Sequence, residues 1–330
     1  MLNKKIAVVI LNWNGQKLLE QFLPSIIQYS KEAMIYVADN ASTDDSISFV
    51  KSNFPDVKII ENNDNYGYAK GYNEALQKVE EEFYALVNSD IEVTENWLQP
   101  IIEMFTSETK TAIIQPKILD FKNKEYFEYA GAAGGFIDKY GYPFCRGRIF
   151  DTIEKDNGQY NDSIEIFWAS GACFFIRKEI FKKLNGFDAD FFAHQEEIDL
   201  CWRASNRKYV AKYNSKSVVY HVGAATLAQG NPKKTFLNFR NSLLMLVKNL
   251  PKNKILSVLF VRMILDGLAG FQFLIKGKFG HFFAILQAHY SFYCLFLTNY
   301  KKRDTFQTQI YYRLKSIVCK YYVNNDKVFE

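Results

Sequence analysis

Apolar runs recur along the first two thirds of the chain, and most of them stop on the same kind of polar punctuation. Residues 6–11 are unbroken apolar sequence ending in Asn12-Trp13-Asn14-Gly15, and a helical spacing follows over 18–29. Continuous rather than alternating runs predict strands covered on both faces. Residues 34–37 predict a second strand, closed by Asp39-Asn40-Ala41-Ser42-Thr43-Asp44, in which Ser42, Thr43 and Asp44 carry the chemistry of a helix start. Residues 57–60 predict a third strand, followed by the polar stretch 62–73 and a helix over 74–81. The fourth strand, 83–87, passes directly into Asn88-Ser89-Asp90. Strands alternating with helical segments predict an α/β fold on a doubly wound, mixed and mostly parallel sheet flanked by helices.

The pattern continues less regularly. A helix is predicted over 97–105 and a strand over 111–120, while the Gly- and aromatic-rich stretch 126–150 reads as hairpin and loop excursions with the makings of a mobile flap. Strands over 164–169 and 172–176 resume around Ser170-Gly171, and a short helix follows over 177–184. Glu196, Glu197 and Asp199 then gather at the start of a helix running to residue 207. Acids in a first turn suit the helix dipole, and the i,i+4 spacing of Asp199 and Arg203 predicts a structural salt bridge. Residues 210–213 and 218–222 predict late strands, with His221 in the second, where a satisfied core histidine is the plain reading.

Open α/β sheets bind ligands outside the carboxyl ends of their strands, which is where these polar stretches fall. Asn88-Ser89-Asp90 places an amide, a hydroxyl and a carboxylate there, and Asp90 is a hard oxygen ligand suited to Mg²⁺ or Mn²⁺ against a diphosphate. Taken alone, the tripeptide also reads as a polar turn. Neither a G-x-G-x-x-G fingerprint nor a P-loop occurs in the sequence, so phosphate binding must lean on metal and side chains.

Composition narrows the class. With 330 residues, 48% of them hydrophobic, the chain can bury a large core as one α/β domain with appendages or as two domains. Five scattered cysteines predict neither a disulfide framework nor a zinc site and fit a reducing cytoplasm. The apolar run near the N-terminus is too short for a signal-peptide core. Residues 1–230 carry 25 Lys and Arg against 32 Asp and Glu, whereas residues 231–330 carry 16 against 4. That division predicts a catalytic domain over 1–230 and a helical, basic and aromatic extension over 231–330, suited to an anionic membrane surface rather than to nucleic acid. An amphipathic helix is predicted over 231–251. Residues 279–300 hold no charge and are long enough to span a bilayer, but His281, Gln287, His289 and Asn299 interrupt them, which predicts an interfacial helix or helical hairpin.

Five ordered stretches now stand together: 8–15, 39–44, 65–73, 86–93 and 170–203. Together they resemble the inverting glycosyltransferases of family 2, with the GT-A fold, nearest to the bacterial rhamnosyltransferase-like members that build surface polysaccharide. The resemblance implies transfer of a sugar from a nucleotide-sugar donor, UDP- or dTDP-linked, to a hydroxyl of a glycan or lipid-linked glycan. A lipid-linked acceptor would account for the basic extension, and the two together predict peripheral attachment to the cytoplasmic face of the inner membrane.

On matching positions, the resemblance places Asn12, Trp13, Asn14 and Asp39 around the nucleoside and Asn65 and Lys70 along the nucleotide. Asn88, Ser89 and Asp90 fall at the donor phosphates. Asp90 matches the last acid of the family's D-x-D metal motif, Asn88 replaces the first, and His221 matches a second metal ligand. The divalent metal, Mg or Mn, is thereby implied with its necessity in question. Glu196-Glu197 matches the family's Glu-Asp pair, making Glu197 the catalytic base one methylene longer than the usual Asp, with Glu196 or Asp199 as the other candidates. A sugar-phosphate nucleotidyltransferase and a non-catalytic donor-binding scaffold are the competing readings. The first lacks its arginine-rich phosphate loop at Asn12-Trp13-Asn14-Gly15.

Overall fold

The protein is described by a computed structural model that covers residues 4–223 and 230–329. The first apolar run becomes strand β1 (Ile6–Asn12), followed by helix α1 (Gln16–Tyr29), β2 (Ala33–Asp39), α2 (Ser46–Asn53), β3 (Lys58–Glu61), α3 (Gly67–Ala75), β4 (Phe83–Asn88) and β5 (Ile91–Val93). Next come α4 (Gln99–Ser107), β6 (Thr111–Asp120), four short strands β7 (Gly135–Ile137), β8 (Pro143–Cys145), β9 (Arg148–Ile149) and β10 (Thr152–Ile153), then β11 (Ser163–Ile166) and β12 (Cys173–Arg177). The chain closes with α5 (Lys178–Lys183), α6 (Glu196–Asn206), β13 (Val210–His221), α7 (Pro232–Asn249), α8 (Ile255–Ile275) and α9 (Phe279–Lys301).

The main sheet has the order β11-β13-β6-β12-β4-β1-β2-β3, with β5 paired to β13. From β1 the chain steps outward through β2 to β3, then returns to lay β4 on the other side, all parallel. The strand order therefore reverses at β1, and the crevice at such a switch point is where open sheets take ligands. β12 enters antiparallel between β4 and β6, and β13 runs parallel to β6. Both faces of β1 are covered, with Ala7 and Val9 in one apolar cluster and Ile6, Val8 and Ile10 in the other, which is why that strand reads as an unbroken run.

Several local predictions change. The helix expected at 74–81 starts earlier, at Gly67, because Gly67 adopts φ +70° and the Phe192 carbonyl accepts from the backbone N–H of Tyr68 (2.8 Å) and Ala69 (3.2 Å). A residue 125 positions downstream of Gly67 thus caps the helix, which no local pattern reveals. Ser42-Thr43-Asp44 does not cap α2; the helix begins at Ser46, and Asp44 accepts from the backbone of Gln16 and Ser46 instead. The two late strands are one, β13, with an irregularity between Asn214 and Val218. The stretch expected as a flap is packed: β7 to β10 form a small antiparallel sheet whose Ile137, Phe144 and Cys145 are buried.

The extension from residue 231 packs onto the sheet domain. α7 buries Leu243 to Val247 against α6 and α9, and Lys248 and Asn249 at its end reach into the domain. Helix α8, which periodicity did not single out, is with its lead-in (Lys252–Ile275) the helix long and apolar enough to cross a membrane among the described residues. Its buried face is polar at mid-length: Arg262 donates to the Tyr140 carbonyl (3.0 Å), and Asp266 accepts from the Tyr142 hydroxyl (3.3 Å) and meets His289 of α9 at 3.2 Å. The final segment folds back over the small sheet, where Tyr311 donates to the Lys139 carbonyl and the Ile317 N–H to Asp138.

Candidate active site

The polar ends of β1, β2 and β4 come together at the switch point. β1 and β2 pair Asn12 with Asp39, and β1 and β4 pair Leu11 with Asn88. Asn12 donates through its amide to Asp39 (2.9 Å) and Ser42 (3.2 Å), and Ser42 donates to Asp39 through both its hydroxyl (2.6 Å) and its backbone N–H (2.8 Å). Asp39 therefore shapes the loop after β2. Asn14 locks the same loop from the other side, accepting from the Thr43 N–H at 2.7 Å. Trp13 stands half exposed at the rim. Gly15 is needed because a Cβ there would lie 2.5 Å from the Asn12 amide oxygen.

Asn65 caps the turn into α3 by accepting from the Gly67 N–H (3.1 Å), and the Lys70 ammonium rests over the Tyr66 ring at 3.9 Å. Asn40, not singled out from sequence, ties these two loops together by donating to the Gly67 carbonyl at 2.9 Å.

Asp90 lies just past β4 and His221 ends β13. The antiparallel pairing of β5 with β13 sets His221 opposite Ile91, and His221 Nε2 lies 3.1 Å from the Asp90 carboxylate. On its other side, Nδ1 is 3.2 Å from Glu128, a buried carboxylate that sequence reasoning missed. Glu128 reaches the ring through bridge pairing beside β6, where its N–H donates to the Ile118 carbonyl. Burial opposes a charged ring here, but Glu128 and Asp90 hold His221 up to about 10.

A carboxylate oxygen and an imidazole whose second nitrogen faces another carboxylate make a donor set that fits a divalent cation. Asp90 and His221 are the two side chains that would hold it. Among the described residues no group of three His, Cys, Asp or Glu side chains is arranged as a metal site, so the remaining ligands would come from the diphosphate and water.

The acidic stretch 196–199 separates into three roles by environment. Asp199 is fully buried and bound to Arg203 (2.7 Å), Lys248 (2.9 Å) and Asn249 (2.8 Å), so the predicted salt bridge is present and is part of a larger network. Glu196 is buried, and burial together with the neighbouring Glu197 charge pushes its carboxyl well above the usual range. Burial pushes Glu197 up to about 7, against the pull of backbone N–H groups at the helix start. Its Oε2 is buried with no hydrogen-bond partner among the described residues. The Glu197 carboxyl carbon would lie 3.7 Å from a Cβ at Gly171, whose carbonyl accepts from the Tyr68 hydroxyl at 2.7 Å. The candidate base thus sits between the β12 lead-in and helix α3.

The segment leading into Glu196 is held in an unusual shape, with Phe192, His194 and Gln195 all at positive φ. Asn241 of α7 maintains it, donating its buried amide to the carbonyls of Phe191 (2.9 Å), Ala193 (2.9 Å) and His194 (2.7 Å). No spacing rule could have paired residue 241 with this loop.

The sequence profile described as glycosyl transferase family 2 matches residues 7–185, more than half of the chain, including the ends of β1, β2 and β4. The chain belongs to that family. Among relatives, an N-acetylglucosaminyl-diphospho-decaprenol L-rhamnosyltransferase of Mycobacterium tuberculosis is 20% identical over 231 residues, covering 66% of this chain and 75% of the relative. The low-salt glycan biosynthesis hexosyltransferase Agl10 of Haloferax volcanii is 22% identical over 245 residues, covering 72% and 74%. Among solved structures, GalNAc-T7 with UDP, GalNAc and Mn²⁺ superposes with TM-score 0.61 at 16% identity, over 77% of this chain and 49% of that one. S. aureus TarS 1–349 with UDP-GlcNAc gives 0.58 at 15%, over 87% and 80%. This family 2 protein is a glycosyltransferase with the GT-A fold.

Proposed function

We propose that this glycosyltransferase moves a hexosyl group, in the rhamnosyl class, from a UDP- or dTDP-linked donor to a hydroxyl of a lipid-linked glycan, with inversion, in bacterial surface polysaccharide synthesis. The observation that carries the reading is the unpartnered Glu197 Oε2 held beside Gly171 and α3. A carboxylate poised near neutrality without a partner is suited to take a proton.

The acceptor hydroxyl attacks the anomeric carbon from the face opposite the departing diphosphate. Glu197 takes the hydroxyl proton as the new C–O bond forms, and the bond to the diphosphate oxygen breaks with its electron pair. Glu196, whose carboxyl is raised further by burial and the Glu197 charge, and Asp199, paired to cations, are less suited to serve as base. Asn12, Asn14 and Asp39 shape the nucleoside seat with Trp13 at its rim, Asn65 and Lys70 border the nucleotide, and Asn88, Ser89 and Asp90 face the phosphates. A divalent cation, Mg²⁺ or Mn²⁺, held by Asp90 and His221, would supply charge stabilisation to the leaving diphosphate. Residues 1–230 form the catalytic domain and 231–330 its extension at the cytoplasmic face of the membrane.

The relatives support this reading through their names: one is a rhamnosyltransferase named for a diphospho-decaprenol-linked sugar, and the structural neighbours were solved with UDP compounds. Proton NMR of the linkage formed from a defined α-configured donor tests it. A β-linked product is expected, and a retained α-linkage overturns the mechanism.

A further inference from the structure

Helices α8 and α9 form an antiparallel hairpin around Lys276-Gly277-Lys278. Phe273 stacks on His281, Gly270 faces Phe282, and Asp266 meets His289. The inner face of the pair is anchored to the sheet domain through Arg262, Asp266 and Tyr142, as described above. The outer face is bare. Along α8, Leu256, Phe260 and Leu268 are 81%, 69% and 61% exposed, and along α9, Phe283, Tyr290 and Leu297 are 57%, 74% and 69% exposed. Further large apolar side chains stand between them at spacings of three and four residues. Together they present an apolar surface on the order of 1,000 Å², well above what soluble monomers leave in water.

We propose that this two-helix face inserts in-plane into one leaflet of a bilayer containing anionic lipid. Two observations choose that occupant. The charges lie at the ends of the helices and are overwhelmingly basic: exposed Lys252 before α8, Lys276 and Lys278 in the turn, and Lys301 at the end of α9. The two charges within α8, Arg262 and Asp266, both point away from the outer face and are buried. An apolar face bordered by lysines matches acyl chains beneath anionic headgroups, whereas a second copy of this chain would bring like-charged rims together. The mid-helix anchorage of Arg262 and Asp266 to Tyr140 and Tyr142 also fixes the geometry. α8 has the length to span a bilayer, yet its centre is tied to the sheet domain, so it lies along the surface. The inference deepens the membrane placement proposed above and rests on it only for the acceptor, which such docking would bring within reach of the site.

Flotation of the full chain with phosphatidylcholine vesicles, with and without phosphatidylglycerol, tests the proposal. Binding is expected to be strong with the anionic lipid, weaker with phosphatidylcholine alone, and reversed by alkaline carbonate. The combined change Phe260→Ser, Leu268→Ser, Phe283→Ser and Tyr290→Ser is expected to cut the bound fraction at least tenfold while hydrolysis of the donor in solution is unchanged. If that variant does not fold, Tyr290→Trp provides the readout: brominated lipid quenches its fluorescence when the face is inserted. Lack of vesicle binding, a carbonate-resistant protein, or a dimer in sedimentation that this variant converts to monomer would each overturn the inference. A wild-type chain that transfers sugar but ignores vesicles defeats this inference alone; one that binds vesicles but never turns over a donor defeats the proposed function alone.

Discussion

The Glu128 carboxylate faces Nδ1 of His221 at 3.2 Å, on the opposite side of the ring from Asp90. Such a carboxylate orients the ring and raises the basicity of the nitrogen that faces Asp90. Glu128→Gln keeps the shape and removes the charge. Mn²⁺ affinity in the presence of nucleoside diphosphate, measured by calorimetry, is expected to fall about 10–100-fold. His221→Ala is expected to fall at least as far. Unchanged affinity in Glu128→Gln would show that His221 does not serve the cation.

Glu196 and Glu197 are adjacent in sequence and opposite in consequence. Glu197→Gln is expected to lower transfer by about 10²–10⁴-fold with nucleotide binding intact, whereas Glu196→Gln, at a carboxyl that burial and the Glu197 charge raise well above its usual range, keeps most activity. With Glu197 pushed up to about 7, the rate of the native enzyme should rise with pH through that value and then level off. The stability effect runs the other way. A carboxyl whose folded pKa exceeds its unfolded value stabilises the fold below the unfolded value, and that contribution is lost as pH rises through about 7. Glu197→Gln should therefore melt above the native protein at about pH 8 and match it at about pH 4. Equal melting at both values would mean that Glu197 is not held in this environment.

The legible parts of this molecule are those in which neighbouring residues report on one another. Residues 6–11 and 83–87 announce strands covered on both faces because a parallel sheet core demands unbroken apolar sequence, and the polar residues that end them mark the switch point. What lay hidden depends on contacts between distant residues. Glu128 sits in a Gly- and aromatic-rich stretch whose pattern predicts loops, and only the pairing beside β6 brings it to His221. The early start of α3 is set by the Phe192 carbonyl, and Asn241 shapes the loop before Glu196 from a helix in the basic extension. α8 does not stand out as an uncharged run as residues 279–300 do, because Arg262 and Asp266 interrupt it, on a face that the fold buries.

Lys248 binds two buried carboxylates at once, Asp188 at 2.7 Å and Asp199 at 2.9 Å, and so joins the extension to the helix that carries Glu197. Lys248→Met removes the cation and leaves those charges underpaired, at a cost of about 3–5 kcal/mol. Calorimetric melting should show the loss near neutral pH. Both carboxyls are held below their usual range, Asp188 at about 2, with the lysine among the causes after the opposing effect of burial. Groups with depressed folded pKa values stabilise above the unfolded value, and that contribution is lost as pH falls through the folded one. The gap between native and Lys248→Met proteins should therefore narrow as the pH falls from about 4 toward 2. A constant gap would assign the loss to packing alone.

Gly67 meets the loop before Glu196 where two constraints coincide. Its φ of +70° is strained for any residue with a side chain, and a Cβ there would lie 2.7 Å from both the ring and the carbonyl oxygen of Phe192. That carbonyl caps α3, and Phe192 precedes Glu196-Glu197 through a run of positive-φ residues held by Asn241. Gly67→Ala should cost more than about 1 kcal/mol in stability, because a native conformation incompatible with the new side chain destabilises beyond any entropic gain. The larger effect should be on turnover. Displacing Phe192 shifts the base relative to the donor, and a misplacement of about 1 Å can cost about 10²-fold in rate. Donor affinity should change less than turnover, because Asn12 and Asp39 lie on strands β1 and β2 and Asp90 just past β4. Gly267→Ala, in an open stretch of α8 with nothing within 4 Å, serves as the control and should leave both quantities unchanged. If Gly67→Ala weakens donor binding and turnover equally, the glycine serves the nucleotide seat rather than the placement of the base.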